Sequence, residues 1–490
     1  MNVEMAYAQR TSVITSMDGS ALAFSANLRR RPVYFEGRVE EPVMLRQLMG
    51  ALHEVILSDY RVSVGGIWIL DPVITVHPDE IFFEAFSTDE STYCRLSASA
   101  DAFETQGEPV YGTTNIDFTW QLRDSLQDFR SSRRTMLSVR AGGFGVMTQT
   151  GSQTRTHFER KVDLPESWLK GFLQVQGALA MNAYTFDVRP VDLLTMIAYL
   201  QDHPKMSRTN GIRFDFRPDE PISAFLEPSD ERFILHGTAY SGYPRTVRLW
   251  GRRRLELLQR ILPYAQKVTV GLIGRSLPHF YICHCGSYRF TLVLSGWSRN
   301  DWSKGSAFDL LAPRGKVDPE KTAAAYNYLV QHFAASVETI SIHTLLPETD
   351  VLPILFELCR AGRVIYDPVT RKYRLRELFA EPLDIERLFA PDPRIDRAQA
   401  FLRENRVTLL HFGPSEVRKR ETRATARVED GDKTYEVIVS VDDEGSIRFG
   451  VCQCKFFQDN ILSRGPCEHI LAARYALDQV QSSREEASHS

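Results

Sequence analysis

The chain has 490 residues, 43% of them hydrophobic and 25% charged, the balance of a soluble globular protein of about three domains. Its 59 lysines and arginines nearly match its 62 aspartates and glutamates, and a net charge of −3 excludes the global positive field of an indiscriminate nucleic-acid binder. No run of 18 apolar residues occurs, and Glu4 and Arg10 interrupt the first segment, so neither a membrane span nor a secretory signal is expected. The expected location is the cytoplasm, where the seven cysteines stay reduced and a cluster of them reads as metal ligands.

Residues 1–310 read as a large α+β region without internal repeats. Alternating β-branched and aromatic residues predict strands at 33–36, 73–76, 81–86, 135–139, 233–237 and 289–294. Helices are predicted at 43–57, 166–181 and 191–200. Each has a proline, Pro42, Pro165 or Pro190, at or just before its start, where a missing amide proton costs nothing. Catalytic patterns fail in this region. Gly142, Gly143 and Gly145 lack the Lys-Ser or Lys-Thr ending of a phosphate loop, and His53-Glu54 lacks the second histidine of a zinc-peptidase helix. Gly112, Thr113, Thr114 and Asn115 read as a turn between strands. His279, Cys283, His284 and Cys285 lie close together, but on a strand Cys283 and Cys285 share one face while His284 points the other way, so a structural strand is expected there.

A polar stretch rich in Gly and Pro at 301–319 marks a domain boundary. Beyond it, 317–380 has the order of a winged helix. Ala323, Tyr326, Leu329, Val330 and Phe333 repeat at helical spacing, a short second helix is predicted at 339–346, and Pro347, Glu348 and Thr349 make a turn. A third helix carries Leu352, Leu355, Phe356 and Cys359 on one face and stops at Gly362, which suits a left-handed residue. Val364 and Tyr366 then face Tyr373 and Leu375 across the turn DPVTRK, a wing. Arg371, Lys372, Arg374 and Arg376 give that wing a basic character. The third helix offers Asp350 and Glu357 against Arg360 alone, a poor set for reading base edges.

After a second linker near 381–393 comes a module spanning 395–480. Arg418, Lys419, Arg420, Arg423 and Arg427 form a basic group capable of contacting phosphates. Two strands are predicted at 434–441 and 446–452 around the turn Asp442-Asp443-Glu444-Gly445. Gly465 and Pro466 then lead into a helix marked by Ile470, Leu471, Arg474 and Leu477. On this ββα frame Cys452 and Cys454 leave the hairpin, while Cys467 and His469 stand in the helix's first turn. Three thiolates and an imidazole are what tetrahedral zinc prefers, and four protein ligands leave no position open for catalysis, so the zinc is expected to be structural. The last residues, 481–490, are polar and aperiodic and are expected to be a disordered tail.

The order Cys452, Cys454, Cys467, His469, after a hairpin and at a helix start, resembles the SWIM zinc finger, over about residues 423–480. The segments DPVITVHPDEIFFEAFS, GTTNIDF and AGRVIYDPVTRKYRLREL are in addition similar to bacterial SWIM proteins associated with MoxR-type AAA+ ATPases and von Willebrand factor A domain proteins. That resemblance implies a partner role in an ATPase system and no chemistry of the chain's own. The function expected is therefore a non-enzymatic, zinc-binding adaptor that recognises a protein partner, or DNA or RNA, through its C-terminal modules. The nucleic-acid form would use Arg371, Lys372, Arg374, Arg418, Lys419, Arg420 and Arg423. The alternatives are an enzyme with its active site in 1–310 and a DNA-binding regulator.

Overall fold

The computed structural model describes residues 12–16, 19–23, 33–59, 72–115, 118, 120–140, 143–150, 153–160, 164–181, 183–203, 211–274, 277–296, 302, 308–311, 317–378, 392–415, 421–442, 446–462 and 464–489. It divides into two compact units. The first comprises 1–172, 183–304 and 376–382, and the second 173–182, 305–375 and 383–490.

The first unit is α+β. Its elements begin with the hairpin β1 (Ser12–Ser16) and β2 (Gly19–Ala23), then β3 (Tyr34–Val39), α1 (Pro42–Leu57), β4 (Val73–Val76), β5 (Glu80–Phe86), β6 (Thr92–Ser99) and β7 (Phe103–Thr105). They continue with β8 (Gly112–Asn115), α2 (Trp120–Leu126), β9 (Arg134–Arg140), β10 (Gly143–Thr150), β11 (Gln153–Arg160), β12 (Leu164–Pro165) and α3 (Glu166–Leu179), the last of which counts with the second unit from Leu173 on. After β13 (Tyr184–Val188) and α4 (Pro190–Asp202) come β14 (Ile212–Phe216), β15 (Ile222–Leu226), β16 (Glu231–Leu235), β17 (Arg245–Leu249), β18 (Lys267–Leu272), β19 (His279–Cys285) and β20 (Tyr288–Leu294). The six predicted strands and three predicted helices all appear within a few residues of their expected bounds. Gly112–Asn115 corrects the expectation of a turn: the β-branched pair Thr113 and Thr114 extends as a strand against β4.

The principal sheet has eight strands in the order β13-β18-β19-β20-β6-β5-β4-β8. Every residue of β4 and β5 is buried, so these strands are covered on both faces, and burial extends to two carboxylates. Glu80 is satisfied by Arg95 and by Arg289 at 2.5 Å, and Glu84 accepts from the Tyr93 hydroxyl at 2.7 Å. Such pairing is the condition on which charge enters a core. On β19, His279, Cys283 and Cys285 are buried and His284 is half-buried, pairing with Thr269, so this run is a core strand. A five-stranded sheet, β11-β10-β9-β3-β7, and a four-stranded sheet, β16-β15-β14-β17, complete the unit with the small sheet β1-β2-β12.

In the second unit α5 (Pro319–His332) starts on Asp318, whose carboxylate accepts from the amides of Glu320 and Lys321. The two-residue strand β21 (Ala334–Ala335) follows, then α6 (Val337–Thr344), capped by Ser336, and α7 (Glu348–Arg360). At the end of α7 Gly362 takes φ 68°, its amide bonds the Cys359 carbonyl, and the Arg363 amide bonds that of Leu358, as the glycine stop foretold. β22 (Val364–Asp367) and β23 (Lys372–Leu375) form the hairpin, and β21 adds to β23 in the order β21-β23-β22. These elements share one core built on Leu329, Ile340, Val351, Leu355 and Tyr373.

The remainder is larger than the ββα frame read from sequence. α8 (Pro393–Arg403) precedes four strands, β24 (Val407–Pro414), β25 (Glu421–Asp430), β26 (Lys433–Asp442) and β27 (Ile447–Val451), that pair in sequence order. α9 (Lys455–Asn460) is a helical turn and a half that the sequence reading lacked, and α10 runs Glu468–His489. That helix continues through His489, in keeping with the helix formers Arg484, Glu485, Glu486 and Ala487. Buried Ala424, Ala426, Val428, Val437 and Val439 alternate along β25 and β26, while α10 buries Ile470, Leu471, Ala473 and Leu477. Gly450 permits the close approach of β27 to α10, since a Cβ there would stand 2.9 Å from the Ile470 Cδ1.

Candidate metal centre

Cys452 follows the last residue of β27, Cys454 caps α9 with its sulfur accepting from the Phe457 amide at 3.4 Å, and Cys467 immediately precedes α10. His469 sits in the first turn of α10. All four side chains are buried, and their ligand atoms lie within 4.8 Å of one another. The Cys452 sulfur is 3.8 Å from His469 Nδ1. A tetrahedron with zinc–sulfur bonds of about 2.3 Å has edges of about 3.8 Å, so the set fits zinc in ligand type, number and spacing.

The four groups share protons through their close contacts. Hydrogen bonds with Cys452 and Cys467 hold the Cys454 thiol far below the usual thiol range, against desolvation. The same sulfur contacts push Cys467 up. Burial by itself opposes charge on His469, yet hydrogen bonds to the Cys452 and Cys454 sulfurs prevail and raise it to about 10. Zinc takes thiolates and a neutral imidazole, so its binding here would displace the protons held by Cys467 and His469.

A surrounding layer fixes the imidazole. Nε2 of His469 faces Asp430 Oδ2 at 3.3 Å, leaving Nδ1 for the cluster. Its ring stacks on Phe401 at 5.6 Å and lies 4.3 Å from the Tyr435 ring. Arg397 pairs with both Asp430, at 2.9 Å, and Glu468, at 3.1 Å, so one guanidinium answers the two carboxylates beside the centre. Arg394 donates to the carbonyls of Arg464, at 3.0 Å, and Pro466, at 2.9 Å, and so holds the loop that delivers Cys467. Arg394, Arg397 and Phe401 are spaced three and four residues apart on α8, which places them on one face of that helix. Sequence reading missed this layer. Only Asp430-Gly431-Asp432 between alternating runs, a hairpin-turn signature, carried a trace of it.

The phosphate-contact candidates separate. Arg371, Lys372 and Arg423 are exposed. Arg374 is corrected: it is 2% exposed and its Nε bonds Asp367 Oδ2 at 3.0 Å, so it is a core ion pair and does not reach a phosphate. Arg376 on the same wing is likewise buried, within the first unit, beside Glu84 at 3.4 Å. Arg418, Lys419 and Arg420 lie outside the described residues. Among the described residues, His279, Cys283, His284 and Cys285 do not converge as a metal-binding group; the two groups that do are the zinc-type set and Asp430, Glu468 and His469 beside it.

The sequence model of the family described as SWIM zinc finger matches residues 437–478, a span that holds all four ligands. That match and the buried Cys/His cluster together point to a zinc-binding module. No curated protein matches the chain. Among solved structures the chain is similar to the Proliferating Cellular Nuclear Antigen from Entamoeba histolytica, at 12% identity and a TM-score of 0.39, over 53% of this chain and 97% of that one. A likeness of that size fixes neither fold nor function.

Proposed function

We propose that this chain is a non-enzymatic, cytoplasmic adaptor whose zinc is structural and whose C-terminal modules, a winged-helix-like piece at 317–380 and the zinc module at 395–480, recognise a protein partner. The observation that carries this reading is the closed ligand set. Cys452, Cys454, Cys467 and His469 are all buried, supply four ligands and leave no coordination position for substrate. Zinc bound there would draw β27, α9 and α10 together and stabilise the module, with no reaction step assigned to it. The order α5-β21-α6-α7-β22-β23 supports the winged-helix description.

An enzyme in 1–310 draws little support from the first unit. A pocket of about 520 Å³ there is lined by Arg38, Glu40, Glu104, Ser131 and Arg133, but Arg38 is bound to Glu104 and, at 3.1 Å, to Glu40. Another of about 150 Å³ has Arg260 bonded to Glu54 and Gln47, and is smaller than an ordinary ligand pocket. Among the described residues, no helix is long and apolar enough to cross a membrane. A nucleic-acid reading rests on exposed Arg371, Lys372 and Arg423.

The test uses the full chain, immobilised and offered separately a purified MoxR-type ATPase, a von Willebrand A protein from the same genome, and duplex DNA and RNA. Capture of a protein that survives moderate salt supports the adaptor. Capture of nucleic acid alone, with affinity falling steeply as salt rises, replaces it with the nucleic-acid reading.

A further inference from the structure

Helix α6 turns a mostly apolar line of side chains to solvent. Glu338, Ile342 and Leu345 are spaced four and three residues apart, which sets them in a row along the helix and its C-terminal turn. Ile342 is 63% exposed and Leu345 90%. Leu345 also takes φ 59°, a left-handed conformation that asparagine or glycine adopts readily and a leucine does not. A bulky apolar side chain on strained backbone, standing in water, does nothing for the unit's own core, which α6 and its turn serve through Ile340 and Leu346. Beside this row, Tyr328 of α5 stacks with His332 at 4.1 Å and with His343 of α6 at 5.1 Å, which adds aromatic surface.

Charge selects what covers it. From residue 318 to 360 the chain carries Asp318, Glu320, Glu338, Glu348, Asp350 and Glu357 against two cations, Lys321, held by Asp350 at 2.5 Å, and Arg360, held by Glu357 at 2.8 Å. We propose that the row Glu338, Ile342, Leu345 is a docking surface for a cationic amphipathic segment of a partner protein. The partner's apolar side chains cover Ile342 and Leu345 while its lysines or arginines face Glu338 and Glu348. A nucleic acid does not fit this face, because its phosphates would meet carboxylates. The inference rests on the adaptor reading and says where on the chain that partner is held.

The experiment titrates the full-length protein against a fluorescent synthetic helix of leucine and lysine, with a leucine and glutamate helix of equal length as control. The lysine helix is expected to bind, to weaken as salt rises, and to lose about tenfold or more in affinity when Ile342→Ser and Leu345→Asn are combined. Asparagine suits the backbone at 345, so the Leu345→Asn chain is expected to melt no lower than the parent, which separates lost docking from lost folding. Glu338→Lys should weaken binding again. Three results each overturn the inference: no binding of the lysine helix to the parent protein, equal binding by the double variant, or equal binding of the glutamate helix. The adaptor reading fails by a different result, the absence of protein capture by the whole chain, so the two outcomes are distinguishable.

Discussion

Nε2 of His469 lies 3.3 Å from Oδ2 of Asp430, and this one contact sets which ring nitrogen meets the three cysteine sulfurs. A carboxylate behind an imidazole fixes the tautomer and raises the basicity of the ligating nitrogen. Asp430→Asn is therefore expected to keep all four ligands and still lower zinc affinity by about 10 to 100-fold, measured by competition with a chromogenic chelator. Unchanged affinity would remove Asp430 from the account of the centre.

Replacing Cys467 by Ser removes a ligand at the start of α10, where the loop held by Arg394 ends. The expected result is local: protease cleavage rises between residues 393 and 489, and the first unit stays protected. Zinc chelation of the parent protein should reproduce the pattern, because binding energy for a structural metal is folding energy. Cleavage spread through 1–304 in either case would contradict the independence of that unit.

Arg374 and its neighbours give a contrast within one hairpin. Arg374→Ala takes the guanidinium away from Asp367, which is 2% exposed and still accepts from the Val369 amide at 3.0 Å, and is expected to cost about 3 kcal/mol in denaturant unfolding. Arg371→Ala and Lys372→Ala, at exposed positions, are expected to change stability by less than about 0.5 kcal/mol. Equal effects at the three positions would mean that Arg374 is not the core ion pair described.

The first unit should lose stability in mild acid. Burial lowers His279 to about 3, with Arg254 adding to the effect, and lowers His53 to about 4, with Arg123 adding. In the unfolded chain each imidazole protonates near pH 6.5. As pH falls through 6.5 the unfolded state therefore binds protons that the folded state does not, and each histidine removes about 1.4 kcal/mol per pH unit until its folded value is reached. His279→Gln should lessen this slope between pH 6.5 and pH 5, followed by urea unfolding. An unaltered slope would show that His279 titrates normally in the folded unit.

The four zinc-type ligands were legible because thiols and imidazole in a short local pattern carry their chemistry in residue type alone. The layer behind them was not, because its contacts span 39 residues from Asp430 to His469 and 72 from Arg394 to Pro466. The strand at 81–86 was readable from its aromatic and β-branched residues, whereas the burial of Glu80 and Glu84 rests on arginine and tyrosine partners outside that segment. Arg374 was misread for a related reason. Period two puts it on the same side as exposed Lys372, and neither the pairing of Ala334–Ala335 with β23 nor the carboxylate of Asp367 is visible in the local pattern. The succession of three helices and a hairpin between Pro319 and Leu375 was readable, whereas β21, two alanines long, has no sequence signature.

The central claim is a closed, structural zinc centre, and the most direct measurement is zinc-edge X-ray absorption on the full chain together with its metal content. The account expects one zinc per chain, bound by three sulfurs at about 2.3 Å and one nitrogen at about 2.0 Å, with no oxygen in the first shell. Less than about half an equivalent of zinc after reconstitution near neutral pH, or a shell of nitrogen and oxygen with fewer than three sulfurs, would contradict it.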